Sequence, residues 1–161
     1  YAEHLWNTIT SDKRVMPAGL GARDTLRLEM AYPLYGHELN TDTTPIEAGF
    51  GRLIDLKSNR KFIGKEALQN LKPQKKLIGI ELEGKRAARE GAELFYDNKK
   101  IGYITSGSYS PSLGKAIALA YISADFPIKK GEKFEIFLKK IDFRGCFSEI
   151  PFYKNAIAKI K

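Results

Sequence analysis

The stretch from Gly19 to Glu29 combines the residue types in this chain that are best suited to binding a ligand. It reads Gly-Leu-Gly-Ala-Arg-Asp-Thr-Leu-Arg-Leu-Glu, so Arg23 and Asp24 follow two glycines at the start of a run with apolar residues at helical spacing. Backbone N–H groups at a helix start, with a guanidinium beside them, favour an anionic ligand. Because a cation there is unfavourable to the helix dipole, Arg23 either pairs with a carboxylate elsewhere in the fold or binds a ligand.

The same stretch does not fit the dinucleotide-binding pattern. Gly19 and Gly21 begin a G-x-G-x-x-G spacing, but Asp24 occupies the position of the third glycine. We therefore expect no nucleotide cofactor to bind through this motif. The simpler alternative is a turn into a helix, in which Gly21 gives the backbone freedom and Asp24 suits the first helical turn.

Two other segments carry side chains that could take part in binding or catalysis. Tyr32 and Tyr35 flank Pro33, and they could form a rigid wall for a flat heterocycle or cover the edge of a core. The stretch 105–114 is rich in hydroxyls, but a serine nucleophile needs a histidine base, and both histidines of the chain are far away in sequence. We predict a strand end, a bulge and a tight turn there.

The sequence contains no complete catalytic set and no metal-ligand set. No acidic residues have the spacing of a catalytic acid and base. Cys146 is the only cysteine, which excludes an internal disulfide and a cysteine-based metal site, and the 2 histidines argue against a histidine-rich metal centre. A reduced, cytoplasmic setting fits this cysteine content. The residues alone therefore predict a site for an anionic, flat ligand and no catalytic group.

Charge is distributed unevenly along the 161 residues. Residues 1–73 carry 10 basic and 9 acidic side chains, whereas residues 74–161 carry 17 and 10. The basic half would attract an acidic protein, a polyanionic small molecule or nucleic acid, unless its lysines only form a solvated surface. No apolar run could span a membrane, and the first residues resemble neither a signal nor a transit peptide. The chain begins without Met inside a predicted helix, so we expect a piece of a longer protein.

The first part of the chain, residues 1–73, mixes helix and loop signals. We predict a helix that ends near Thr10, a helix that begins at Thr44 with Pro45 and Glu47 in a capping box, and a strand over 50–56. A short helix is expected over 64–71. The polar run at 72–76, with a proline that stops this helix, is the predicted joint to the second part.

The second part, residues 74–161, reads as a succession of about six short strands. Residues 97–100 form a hairpin turn signal, and the continuous apolar run over 116–122 is typical of a strand buried on both faces. This pattern predicts a small antiparallel barrel or sandwich. The predicted fold class is therefore α+β.

Several motifs in fixed order resemble the aminomethyltransferase of the glycine cleavage system, the T-protein. The resemblance is carried by the stretch from Gly19 to Glu29 with Tyr35-Gly36, by Asp-Thr-Thr-Pro-Ile-Glu at 42–47, and by Phe-Ile-Gly-Lys-Glu-Ala-Leu at 62–68. Thr-Ser-Gly at 105–107, Ser-Pro-Ser-Leu at 110–113 and Pro-Phe at 151–152 continue it. It covers almost the whole chain and matches the C-terminal part of this family.

The resemblance implies a fold and a reaction. Residues 1–73 are expected to be the end of the α+β folate-binding domain, and residues 74–161 the C-terminal β-barrel domain. The implied enzyme takes an aminomethyl group from the lipoylated H-protein, releases ammonia and forms 5,10-methylenetetrahydrofolate. The key aspartate of the family lies before residue 1, so the chain is expected to be inactive alone.

The resemblance also implies a folate site with tetrahydrofolate as cofactor. Arg23 matches an arginine that holds the folate, Tyr32 falls where some members place a folate-contacting tyrosine, and Lys154 falls near a position that lines the same channel. Neither nucleic acid nor a membrane is an expected partner. Two alternatives stay open: the folate-binding tail of a dimethylglycine or sarcosine dehydrogenase, and a basic β-barrel that binds RNA.

Overall fold

A helical N-terminal part precedes a closed barrel in the computed structural model, which describes residues 1–129, 133–138 and 141–155. The helices are α1 (Ala2–Thr10), α2 (Leu20–Glu29) and α3 (Lys65–Gln69), with a 3₁₀ turn over Phe50–Leu53. The strands are β1 (Lys75–Leu82), β2 (Glu93–Tyr96), β3 (Lys99–Ser110), β4 (Lys115–Ser123), β5 (Lys133–Leu138) and β6 (Ile141–Ser148).

The strands close into an antiparallel barrel in the order β1-β4-β3-β2-β5-β6. This confirms the predicted α+β fold with a small antiparallel barrel. Alternate residues of the strands point inward, and the core is built from aliphatic side chains with Phe134 among them. Closure leaves no free sheet edge, which stabilises a sheet of short strands.

Strand β4 is buried over its whole interior because it is covered on both sides. Ala116, Ala118 and Ala120 face the barrel core, whereas Ile117 and Leu119 face outward and pack against Leu28 of α2. The predicted strand buried on both faces is confirmed. Helix α2 covers the outer face of β4. The stretch with the candidate ligand-binding residues therefore packs directly on the barrel.

Two segments of the N-terminal part differ from the prediction. The helix expected to begin at Thr44 is only a single turn, although the backbone N–H groups of Thr44 and Glu47 do donate the reciprocal capping-box hydrogen bonds to Glu47 Oε2 and Thr44 Oγ1. Gly49 adopts a left-handed conformation with φ of 86° and ends that turn. The predicted strand over 50–56 is wrong, because the chain continues from Gly49 into the 3₁₀ turn.

Strand β3 carries the bulge that the hydroxyl-rich stretch predicts. The register against β4 shifts between Ile104 and Ser106, so Thr105 is the extra residue. Just beyond the bulge, Gly107 lets the backbone of Ala88 approach β3 closely. A Cβ at position 107 would lie 1.9 Å from the carbonyl oxygen of Ala88. The segment around Ala88 therefore lies directly over β3.

Candidate functional site

A cleft of about 400 Å³ lies between helix α2 and the barrel. Helix α2 supplies one wall, the bulged part of β3 supplies the floor, and the segment before β2 supplies the other wall. The lining residues are Leu20, Arg23, Asp24, Arg27, Leu34, His37, Arg89, Glu90, Thr105, Ser106 and Gly107. Three of these are arginines, so the cleft is suited to an anionic ligand.

Arg27 is a structural residue of this cleft. Its guanidinium is only 10% exposed and donates hydrogen bonds to Asp24 Oδ1 at 2.8 Å, Glu38 Oε2 at 2.9 Å and Ser106 Oγ at 2.9 Å. Glu38 is fully buried, and its second carboxylate oxygen accepts a hydrogen bond from Thr105 Oγ1 at 2.6 Å. One ion pair therefore joins α2, the segment after it and the bulge of β3.

Arg23 lies one helical turn before Arg27 and differs from it in having no partner. Its side chain is exposed, and within the described part of the chain this side chain forms neither an ion pair nor a hydrogen bond. The carboxylates of Asp24 and Glu38, which line or adjoin the same cleft, are paired with Arg27. The guanidinium of Arg23 is thus available to a ligand in the cleft.

On its other side, Arg23 borders an apolar groove of about 790 Å³ along helix α2. Besides Arg23 and Arg27, the lining residues are Ala18, Gly19, Leu20, Ala22, Leu26, Met30 and Tyr32. The structure therefore brings Arg23 and Tyr32 to the same groove. Tyr35 is exposed but does not line it. A flat, largely apolar molecule with an anionic end fits this combination of surfaces.

Lys154 lies elsewhere. Its ammonium group is 3.1 Å from Glu149 Oε2, and it lines neither the cleft nor the groove. The neighbouring Tyr153 donates its backbone N–H to the carbonyl of Glu29, the last residue of α2. Lys154 therefore lies near the C-terminal end of α2, whereas Arg23 lies near its N-terminal end.

Residues from the barrel complete the second wall of the cleft, and sequence reasoning did not find them. Arg89 is exposed and donates to the carbonyl of Gly107 at 3.3 Å. His37 Nδ1 lies 3.0 Å from Glu90 Oε2, across the cleft from α2. On α2, Arg27 could have been suspected from its i,i+3 spacing to Asp24. Arg89, Glu90 and His37 are distant in sequence from α2 or from one another, so only the fold brings them to the cleft.

Three buried glutamates fasten the N-terminal part to the barrel. Besides Glu38, Glu29 accepts a hydrogen bond from Ser110 Oγ at 2.6 Å, and Glu47 accepts one from the backbone N–H of Gln74 at 2.9 Å. Burial alone would raise the pKa of Glu47, but donors from Gln74 and Thr44 outweigh it and lower the pKa. These contacts hold α2 in a fixed place over β3 and β4.

Tyr121 of β4 contacts the backbone of Glu38. Its hydroxyl donates to the backbone carbonyl of Glu38 at 2.9 Å, and its ring lies 4.6 Å from the ammonium group of Lys75. Burial raises the pKa of Tyr121 well above its usual range, and the nearby Glu38 carboxylate adds to this effect. The tyrosine therefore stays a neutral hydrogen-bond donor.

Among the side chains that the structure describes, those of residues 1–129, 133–136 and 144–155, no group of histidine, cysteine, aspartate and glutamate has the geometry of a metal site. Within the same residues, no helix has both the length and the apolar character needed to cross a membrane. Cys146 is a free thiol.

Two family models match the chain in succession. Residues 1–58 match the GCVT N-terminal domain, and residues 75–154 match the glycine cleavage T-protein C-terminal barrel domain. The second range contains the barrel from the start of β1 to the last described turn.

Curated relatives agree with these matches. An aminomethyltransferase of Synechococcus elongatus is 50% identical over 155 residues, which cover 94% of this chain and 41% of the relative. An aminomethyltransferase of Thermotoga neapolitana is 39% identical over 163 residues, which cover 98% of this chain and 44% of the relative. The chain thus spans less than half the length of these relatives.

The fold is likewise similar to a solved structure, the glycine cleavage system aminomethyltransferase T from Bartonella henselae. The TM-score is 0.81 at 29% sequence identity, and the match covers 94% of this chain and 44% of that one. Because the motifs, both family models and the fold agree, the chain belongs to the glycine cleavage T-protein family, and it contains the C-terminal barrel domain and part of the GCVT N-terminal domain of that family.

Proposed function

We propose that this chain is the C-terminal, folate-binding part of a tetrahydrofolate-dependent aminomethyltransferase. In the proposed reaction, the aminomethyl group on the lipoyl arm of the H-protein is the substrate, ammonia leaves, and the one-carbon unit becomes 5,10-methylenetetrahydrofolate. The observation that carries the proposal is the free guanidinium of Arg23 between an arginine-rich cleft and an apolar groove. Family membership supplies the reaction class.

The groove and cleft suit the two chemically different ends of a folate. A folate has a flat ring system at one end and glutamate carboxylates at the other. Leu26, Met30 and Tyr32 offer apolar and aromatic contact area for a ring, and Arg23 can hold a carboxylate in bidentate geometry or stack on a ring. When bound, tetrahydrofolate would supply the acceptor for the one-carbon unit.

In this proposal, the residues of this chain bind and orient the folate. Arg27 is occupied by Asp24 and Glu38, so it positions helix α2, while Arg23 and Arg89 face the ligand from opposite walls of the cleft. The resemblance implies that the catalytic aspartate belongs to a segment outside these residues. We therefore assign no catalytic residue to this chain. A folate contact for Lys154 stays a prediction.

The proposed protein partner is the lipoylated H-protein, and an acidic surface on it would explain the excess of positive charge in residues 74–161. We place the domain boundary between residues 73 and 74, just before β1, and the working compartment in the cytoplasm. Neither alternative from the sequence is favoured, because the Synechococcus and Thermotoga relatives and the Bartonella structure are aminomethyltransferases.

The test uses a full-length chimera in which this chain replaces the matching part of the Synechococcus elongatus relative, which is 50% identical. Loss of one charge-assisted contact costs about 1.5–3 kcal/mol, so Arg23→Ala should lower kcat/KM for tetrahydrofolate roughly 10- to 150-fold. Arg23→Lys should recover part of this loss because it keeps the charge.

Arg52→Ala is the matched control, since Arg52 is an exposed arginine of the same domain that lines neither the cleft nor the groove. Equal kinetics for the Arg23→Ala and Arg52→Ala chimeras would remove Arg23 from the site. Salt dependence tests the partner: association with lipoylated H-protein should weaken as ionic strength rises, and salt-insensitive association would argue against an electrostatic role for the basic half.

A further inference from the structure

His37 and Glu90 contact each other in the lining of the cleft, and the proposed function does not use this contact. His37 lies in the segment that follows α2, and Glu90 lies in the segment between β1 and β2. The Nδ1 atom of His37 is 3.0 Å from Oε2 of Glu90. The contact therefore joins the N-terminal part of the chain to a loop of the barrel.

The imidazole nitrogen in this contact needs a proton. Nδ1 of His37 is shielded from solvent and forms no hydrogen bond within the described part of the chain, although the Glu90 carboxylate lies within ion-pair distance. An unprotonated Nδ1 would oppose its lone pair to the carboxylate oxygen. The imidazolium form carries a proton on both nitrogens and adds a charge, which strengthens the attraction. Because histidine changes charge between pH 5 and 8, the contact should be strongest in the acidic part of that interval.

One end of the contact is fixed, and the other end belongs to an irregular segment. Glu38, the residue after His37, is fully buried, and its carboxylate accepts hydrogen bonds from α2 and from β3. Residues 83–92 form neither helix nor strand, and they carry Arg89 and Glu90 side by side. An ion pair between His37 and Glu90 therefore ties the neighbour of Arg89 to a fixed point of the fold.

Charged side chains from two other elements share the cleft with His37. Those of α2 and of the segment between β1 and β2 are Arg23, Asp24, Arg27, Arg89 and Glu90, whereas β3 contributes the uncharged Thr105, Ser106 and Gly107. The carboxylates of Asp24 and of the buried Glu38 are paired with Arg27, and the carboxylate of Glu90 is paired with His37. Protonation of His37 thus compensates a negative charge that would otherwise repel an anionic ligand.

We propose that His37 is a positioning residue of the cleft. When protonated, it pairs with Glu90, holds the adjacent Arg89 in place and compensates the Glu90 charge, so the cleft binds its anionic ligand more tightly at acidic than at basic pH. The two side chains are 37% and 57% exposed, and ion pairs of that exposure are weak. The expected gain in affinity is therefore about two- to fivefold. That the ligand is a folate rests on the proposed function; the contact itself does not.

The experiment is a double-mutant cycle in the full-length chimera with the Synechococcus elongatus relative. The dissociation constant for tetrahydrofolate is measured without oxygen for the unchanged chimera, His37→Gln, Glu90→Gln and the double variant, at about pH 6 and about pH 8.5. The cycle subtracts what each side chain does to the ligand on its own. We expect a coupling of about two- to fivefold at the lower pH and none at the higher pH.

His4→Gln is the matched control, because His4 is the other histidine of the chain, is exposed on α1 and does not line the cleft. Affinity should fall with rising pH in the unchanged chimera and in His4→Gln, and it should stay constant in His37→Gln.

A second measurement needs no folate. Urea-unfolding midpoints of this chain are recorded for the same four combinations at His37 and Glu90, at both pH values. At the lower pH, the double variant should lose less than the two single variants together, because each single change already breaks the contact. At the higher pH, the losses should add. These midpoints also show whether each variant is folded.

Three results would overturn the proposal. The first is no coupling in tetrahydrofolate affinity at the lower pH, even if unfolding shows coupling, since the contact would then be structural only. The second is a coupling of equal size at both pH values, and the third is a His37→Gln chimera that keeps the pH dependence. If affinity depends on Arg23 and shows no such coupling, this inference alone fails. If the unchanged chimera does not bind tetrahydrofolate, the proposed function fails, and the positioning role fails with it.

Discussion

The guanidinium of Arg27 and the carboxylate of Glu38 form a nearly dry ion pair, with Nη1 2.9 Å from Oε2 and side-chain exposures of 10% and 0%. Each partner has further hydrogen bonds, from Arg27 to Ser106 and from Thr105 to Glu38, so the charges are satisfied at both ends. The pair spans α2 and the bulge of β3. It anchors the wall that carries Arg23, and it occupies Arg27 while the Arg23 side chain stays without an ion pair among the described residues.

Glu38→Ala is expected to destabilise the chain by about 3–5 kcal/mol, because it leaves the Arg27 guanidinium almost buried without its main partner. Urea unfolding followed by circular dichroism measures this change. Asp24→Ala is the matched control. Asp24 contacts the same guanidinium but is 47% exposed, so its removal should cost less than about 1 kcal/mol. Similar losses for both variants would contradict the buried-pair assignment.

The stability that the Glu47 carboxylate contributes should be lost in acid. Its pKa is lowered in the folded state, so the stabilising contribution is fully present above the unfolded-state pKa, about 4.3, and is lost as pH falls through the folded-state pKa. Glu47→Gln should therefore lower stability by about 1–3 kcal/mol at pH 7, with a much smaller difference from the unchanged chain below the folded pKa. A difference that is constant with pH would show that ionisation of Glu47 does not matter.

Gly107→Ala should displace the segment that carries Arg89, because the new Cβ would lie 1.9 Å from the Ala88 carbonyl oxygen. We expect a loss of stability of about 1–3 kcal/mol, as for other overpacked sites. Gly21→Ala is the comparison. Gly21 lies inside α2, and no residue beyond its own helix comes within 4 Å of an added Cβ, so alanine should stabilise the helix by up to about 1 kcal/mol. Thermal melts should therefore shift in opposite directions for the two variants, and a shift of the same sign would contradict the close approach at Gly107.

Arg89 should act on ligand affinity and not on the chemical step. It lines the same cleft as Arg23, and its guanidinium donates a hydrogen bond to the Gly107 carbonyl at 3.3 Å. In the full-length chimera, Arg89→Ala should raise KM for tetrahydrofolate roughly tenfold with kcat nearly unchanged. Lys99→Ala, a change of an exposed cation outside the cleft, is the control. A fall in kcat with constant KM would exclude the proposed role.

Local sequence signals predicted the parts of the structure that depend on neighbours in the chain. The short strand-like runs and the turn signal at 97–100, where Asp97 and Asn98 have positive φ, predicted the barrel strands, and the periodic apolar residues predicted α1 and α2. The capping box at Thr44 was also correct locally. The helix expected after it failed because the left-handed Gly49 ended it after one turn while Glu47 bonded to residues near β1.

The amino-acid sequence by itself determined the fold class, the position of α2 in the chain, the exclusion of a dinucleotide motif and the choice of Arg23 as the candidate ligand-binding residue. Only the tertiary structure decided which of two arginines four residues apart is free. Arg27 meets Glu38, 11 residues further along the chain, and Ser106, 79 residues further along, and no helical or strand spacing encodes these contacts. The availability of Arg23 is a consequence of those long-range contacts, because ion pairing depends on distance and burial in space and not on spacing along the chain.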